Sequence, residues 1–143
     1  MRPDSIKIHR KSAVLELVYG ATAFRLPAEY LRVHSPSAEV QGHGPGQAVL
    51  QYGKRNVQFN DIQAMGHYAI LIIFSDGHDT GIYSWPSLRE LCDNYEQYWS
   101  KYLENLKDSG RSRDRDWMIM SDYEQKKLLY ELKWRQDVRN DHS

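Results

Sequence analysis

Tyr68-Ala69-Ile70-Leu71-Ile72-Ile73-Phe74, then Ser75-Asp76-Gly77-His78-Asp79-Thr80, then Gly81-Ile82-Tyr83-Ser84-Trp85-Pro86, is the stretch on which the fold turns. The first seven residues are apolar without alternation, the pattern of a strand covered on both faces. Asp76-Gly77 is a strong short-range hairpin signal, so Gly81 to Ser84 reads as the returning strand. From Pro86 the period changes. Leu88, Leu91, Cys92, Tyr95, Trp99, Tyr102, Leu103 and Leu106 recur at three- and four-residue steps, predicting one amphipathic helix over 86–107. Ser84 and Ser87 both qualify as its cap, Ser84 because Pro86 follows and Ser87 because Glu90 completes a capping box.

Upstream the reading is also β. Ile6 to His9, Ala13 to Val18 and Thr22 to Leu26 are alternating or β-branched runs, with a turn at Tyr19-Gly20-Ala21. Pro27 opens a short element expected to start helical or irregular and to become extended towards Val33. Ala48 to Tyr52 and Val57 to Ile62 flank Gly53-Lys54-Arg55-Asn56 in a hairpin-like pattern, and Met65-Gly66-His67 separates that pair from the central strand. The expected fold class is α+β: a mainly antiparallel sheet, one long amphipathic helix and an appended C-terminal helix.

Downstream, residues 107–116 lack any apolar side chain and mix charges, as a solvated linker does. Ser121-Asp122-Tyr123-Glu124 is a second capping box, opening a helix to about Val138 that could dock on its own domain or on another protein. The organisation is therefore a domain over 1–110, a charged linker over 111–120 and a helical extension over 121–143.

Composition narrows the function classes. The 143 residues include ten tyrosines and four tryptophans, enough apolar area for a core without disulfides. Lysine plus arginine equals aspartate plus glutamate at 19 each, so no net field draws nucleic acid or a membrane surface. Lys54-Arg55 and Arg111/Arg113/Arg115 read as solvated surface. Cys92 is the sole cysteine, which suits a reducing compartment. With no signal-like N-terminal run and no membrane-length apolar stretch, the expected location is the cytoplasm. Cys92 itself lies on the apolar stripe and reads as a buried, inert thiol.

Two histidines sit among turn formers: His43 within Gly42-His43-Gly44-Pro45-Gly46, and His78 within the Asp76–Thr80 turn. Two readings follow. In one, loop and turn converge so that His43 and His78, with Asp76, Asp79 or Glu39, hold iron or zinc, both of which accept mixed imidazole and carboxylate ligands. In the other, the histidines bond to nearby backbone and pin two irregular segments together. The glycines could present N–H groups to an anion, but no Gly-Lys-Ser/Thr follows, and a turn needing positive φ accounts for them. No nucleophile elbow accompanies Ser35 or Ser37, so the chain is not expected to be an enzyme.

In order along the chain, Leu31-Arg32, Ser35-Pro36-Ser37-Ala38-Glu39-Val40, Gly42-His43, Gly53-Lys54-Arg55, Tyr68-Ala69, Asp76-Gly77-His78-Asp79 and Gly81-Ile82-Tyr83-Ser84-Trp85 resemble the gamma-butyrobetaine hydroxylase-like N-terminal domain family. The resemblance runs from about Ile6 to about Gly110 and implies a stand-alone bacterial domain of unknown function. It carries two associations. A similar domain in the eukaryotic hydroxylase precedes the catalytic domain and holds a structural zinc with three cysteines and a histidine. Other similar domains are fused to P-loop proteins that handle iron–sulfur clusters. Aligned here, the cysteine positions fall on Ser35, Ser37 and Val40 and the histidine on His78, so only the histidine remains. The expectation is a non-catalytic binding module that takes iron or zinc, with an iron–sulfur or metal-handling protein as its partner. The alternative is an adaptor that uses the C-terminal helix and needs no metal.

Overall fold

The computed structural model describes residues 1–114, 126–127 and 129–131. The first three apolar runs form one antiparallel sheet: β1 (Ser5–His9), β2 (Val14–Tyr19) and β3 (Thr22–Pro27), in that order. Gly20, at φ +60°, makes the tight turn between β2 and β3. The alternation of β2 places Leu15, Leu17 and Tyr19 in the core while Glu16 faces outward to Arg25.

The second sheet has the order β4 (Phe59–Met65), β5 (Ala69–Phe74) and β6 (Gly81–Ser84), all antiparallel. Its centre is the continuous apolar run, as the sequence predicts, with Ile72 and Phe74 wholly buried. The Asp76-Gly77 turn returns the chain as β6, Gly77 taking φ +89°. The two sheets and the helices share one core that includes Leu17, Leu31, Phe74, Tyr83 and Leu88. The fold is α+β.

Several local expectations are corrected. The element after Pro27 does not become extended: α1 (Ala28–Val33) is helical throughout, because all six of its residues are buried in the core or in ion pairs. Ala48 to Tyr52 forms no strand, so the hairpin around Gly53 is not made. That turn instead donates its Gly53 and Arg55 N–H groups to the Ser112 and Arg113 carbonyls, each at 3.0 Å. The single long helix is two, α3 (Trp85–Asp93) and α4 (Tyr95–Asp108), because Asn94 takes φ −113° and its side-chain amide donates to the Glu90 carbonyl. Leu103, placed on the apolar stripe, is 40% exposed, while Leu88, Leu91, Tyr102 and Leu106 are buried. A further short helix, α2 (Ala38–Gln41), lies in what reads as loop.

The α3 cap is Ser84, whose hydroxyl accepts the Ser87 N–H at 3.2 Å, with Pro86 in the first turn. Arg113 departs from the solvated reading: its guanidinium makes two bonds, at 2.6 and 2.9 Å, to the buried Glu29 carboxylate and lies over the Trp99 ring. Of the C-terminal helix, residues 126, 127 and 129–131 are helical; the rest of that expectation lies outside the described residues. No helix among the described residues is long and apolar enough to cross a membrane.

Candidate functional site

Ser35 follows α1, and His78 closes the β5–β6 turn, so the loop and the turn do meet. Ser35 Oγ lies 2.8 Å and Ser37 Oγ 3.4 Å from His78 Nε2. The Ser37 N–H donates to Ser35 Oγ at 3.3 Å, so the hydroxyl joins the loop backbone to the imidazole. On the other side of the ring, Nδ1 faces a Glu39 carboxylate oxygen at 3.6 Å. Because Ser37 turns its hydroxyl to the imidazole, it makes no side-chain cap on α2.

Asp76 anchors the turn from outside. Its carboxylate accepts from Arg32 Nε at 2.9 Å, from Lys54 Nζ at 2.6 Å and from the His78 N–H at 3.2 Å. Arg32 also donates to Gln51 Oε1 at 3.0 Å, so one buried guanidinium ties α1 to two irregular segments. Burial pushes the Asp76 carboxyl up, yet Lys54, the His78 N–H and Arg32 outweigh it and hold the carboxyl below its ordinary value. Burial likewise lowers His78, helped by Arg32 and Lys54 and opposed by Glu39 and Asp76. The imidazole therefore stays neutral at pH 7.

The other candidate ligands are differently placed. His43 and Asp79 are exposed, on the Gly loop and the turn respectively. Both ring nitrogens of His78 face residues other than His43. Among the described residues, no group of three or more His, Cys, Asp or Glu side chains is arranged to hold a metal ion. Gly42 has φ +76°, and a Cβ there would stand 2.2 Å from the Gln47 carbonyl oxygen, so that glycine is required by the loop's own path.

The positions aligned with the zinc ligands behave instructively. Ser35, Ser37 and His78 cluster, and Val40 is buried. Zinc takes thiolate, imidazole or carboxylate ligands, and two hydroxyls and a valine supply none of these, so the set does not fit the ion. A hydrogen-bonded junction stands where the resemblance implies a metal.

A serine, a histidine and a glutamate in sequence also suggest nucleophilic chemistry, which the geometry does not favour. Ser35 has 0% exposure, covered by Gly81 and Tyr83, and the Glu39 distance exceeds a hydrogen bond. Cys92 is buried, with its thiol pushed up to about 12 by burial, as expected of an inert residue.

Sequence reasoning missed Arg32, Lys54 and Gln51 as parts of the junction, and the Arg113–Glu29 pair beside it. Arg32 had one usable signal, a cation inside an otherwise apolar helical turn. Glu29 and Arg113, 84 residues apart, had none.

It also missed an open groove. His34, at the end of α1, donates Nδ1–H to the Tyr30 carbonyl at 2.8 Å and stacks on Tyr98, centroids 5.9 Å apart at 24°. A cavity of about 500 Å³ lies to one side, between α4 and the 48–51 segment. A second of about 410 Å³ lies towards α3, and both share His34, Gln41 and Tyr98 as walls.

Comparisons place this arrangement among known proteins. No curated protein matches the chain. A protein solved by NMR is 48% identical, with a TM-score of 0.72, over 84% of this chain and 95% of that one. A second NMR structure is 44% identical, with a TM-score of 0.68, over 78% of this chain and 84% of the other. A crystal structure from Acidithiobacillus ferrooxidans, a protein of unknown function in the DUF971 family, is 35% identical with a TM-score of 0.53, over 63% of this chain and 91% of that one. The profile of the family described as gamma-butyrobetaine hydroxylase-like, N-terminal, matches residues 6–89, and the chain belongs to that family.

Proposed function

We propose that the chain is a non-catalytic binding module that recognises a partner protein and needs no metal at the Ser35–His78 junction. One observation carries this reading: Ser35, Ser37 and His78 are buried and bonded to one another. His78 Nε2 is already bonded to a hydroxyl, and a metal held by His78 and Asp76 would have to break that bond and expel Arg32 and Lys54 from Asp76. Among the described residues, the groove beside His34 and the exposed Gly loop are open surface. An iron–sulfur or metal-handling protein is the partner class that the family resemblance implies.

The test is a titration of labelled protein with Zn(II) and, anaerobically, Fe(II), following the ¹⁵N shifts of the His78 imidazole. The reading predicts an unchanged neutral ring through one equivalent of metal. A stoichiometric shift of Nε2 or Nδ1, abolished in His43→Ala, would replace it with metal binding.

A further inference from the structure

We propose that residues 111–114 fill, in cis, a recognition site for an arginine followed by an acid, and that a partner segment of the same chemistry exchanges with them. This rests on the binding-module reading and names what the module recognises.

The structure shows the occupant. Arg113 Nη2 and Nε donate to the two oxygens of the Glu29 carboxylate, at 2.6 and 2.9 Å. Its guanidinium carbon stands 5.0 Å from the centroid of the Trp99 ring. Glu29 is 5% exposed, so the fork enters a buried acidic pocket and does not merely meet a surface charge. Before it in the chain, the Arg111 guanidinium lies over the Tyr52 ring at 4.5 Å. After it, Asp114 Oδ1 accepts from Arg55 Nε at 2.7 Å. The Gly53 and Arg55 N–H groups donate to the Ser112 and Arg113 carbonyls, contacts that read main chain and suit any sequence. Selection therefore falls on the guanidinium. An ammonium group is a point charge and lacks the planar fork that meets both oxygens of Glu29.

What holds this segment differs from what holds the domain. Residues 111–114 carry no apolar side chain, and none of them belongs to the buried core. Arg111, Ser112 and Asp114 are exposed, and an ion pair as open as Arg55–Asp114 contributes little. Segments held in this way open more readily than core elements. Glu29 decides the manner of opening. Release alone strands a buried carboxylate, which is strongly unfavourable. Replacing one guanidinium with another leaves that carboxylate paired, so exchange is the easier path. Exchange also undoes the ties between the domain and the chain that follows, making partner recognition and release of the C-terminal extension one event.

The experiment uses the full chain, ¹⁵N-labelled, and the unlabelled capped peptide acetyl-Gly-Arg-Ser-Arg-Asp-Gly-amide. Added peptide should shift the Gly53 and Arg55 amides saturably and speed solvent exchange of the Arg113 Nε–H. Citrulline or lysine at the peptide's second arginine should weaken binding about tenfold. Arg113→Ala, which removes the competitor in cis, should bind the peptide about tenfold more tightly than the parent. The peptide should also raise its urea midpoint, a readout that survives partial unfolding. Arg113→Ala combined with Glu29→Gln should fold and bind no peptide. Indifference of Arg113→Ala to millimolar peptide, or equal binding of the citrulline peptide, would overturn the proposal. So would a parent whose Arg113 Nε–H stays protected while Arg113→Ala binds, since the segment would then be a fixed brace. A dimer in ultracentrifugation that dissociates as peptide is added would assign the site to a second copy instead. Failure of exchange with His78 still indifferent to metal removes this inference alone. Metal uptake at His78 with exchange intact removes only the metal-free junction.

Discussion

Ser35 Oγ and His78 Nε2, 43 residues apart in sequence, stand 2.8 Å apart in a site sealed from solvent. This bond joins the end of α1 to the β5–β6 turn. Removing the imidazole in His78→Ala takes its 2.8 Å partner from the buried Ser35 hydroxyl, at a cost of about 1–3 kcal/mol, with a further loss for the void. His78→Gln, whose amide reaches the position of Nε2, should recover part of it. Chemical denaturation of the three proteins measures this.

Acid should weaken the fold through the same residue. His78 and His34 both lie below 6.5 in the folded chain, chiefly from burial, whereas an unfolded chain protonates them near 6.5. Below about pH 7 the unfolded state therefore binds more protons, and stability falls as pH drops through 6.5 towards the folded values, levelling off beneath them. Above about pH 7 the two add no pH dependence. Denaturation midpoints between pH 8 and 5 should show this slope, and His78→Gln should reduce it. A slope of opposite sign would mean that folding favours the charged rings.

Arg113 should prove part of the domain. Arg113→Ala leaves Glu29, whose side chain is 5% exposed, buried without its cation. Breaking a buried pair costs about 3–5 kcal/mol, and the partial exposure of Arg113 argues for the lower end. Adding Glu29→Gln to Arg113→Ala should restore stability, because the stranded charge is gone. A double-mutant cycle by urea denaturation reads the coupling.

Gly81→Ala tests how tightly the junction is closed. A Cβ at Gly81 would lie 2.9 Å from Ser35 Oγ and 3.0 Å from the Tyr83 ring, so the loss of about 1–3 kcal/mol should come from crowding. At Gly77, by contrast, nothing lies within 4 Å, and alanine pays only for φ +89°. Ser35→Ala, which gives Gly81→Ala room, should relieve part of the first effect and none of the second.

Strand positions were legible wherever the pattern was local. Ala13 to Val18, Tyr68 to Phe74 and Gly81 to Ser84 follow from alternation, apolar runs and turn residues alone, each within one residue of the observed strand. The Ala48–Tyr52 hairpin misled because Gly53 does make a turn, but the backbone partners of that turn, Ser112 and Arg113, come from the far end of the chain. The helix break at Asn94 is hidden because the apolar stripe continues across it. At the candidate site, His78 was readable from its turn. The identities of its partners were not, since Ser35, Ser37 and Glu39 reach it only through tertiary contact, and the exposed His43 carries the same local glycine signature. The Arg32–Asp76–Lys54 cluster depends on three separate segments meeting, which no periodicity encodes.

The most direct measurement is elemental analysis of the anaerobically purified chain, beside His43→Ala and His78→Ala. A self-satisfied serine–histidine junction predicts iron and zinc far below one per chain in all three proteins. About one metal per chain in the parent, lost in His78→Ala, would contradict the account.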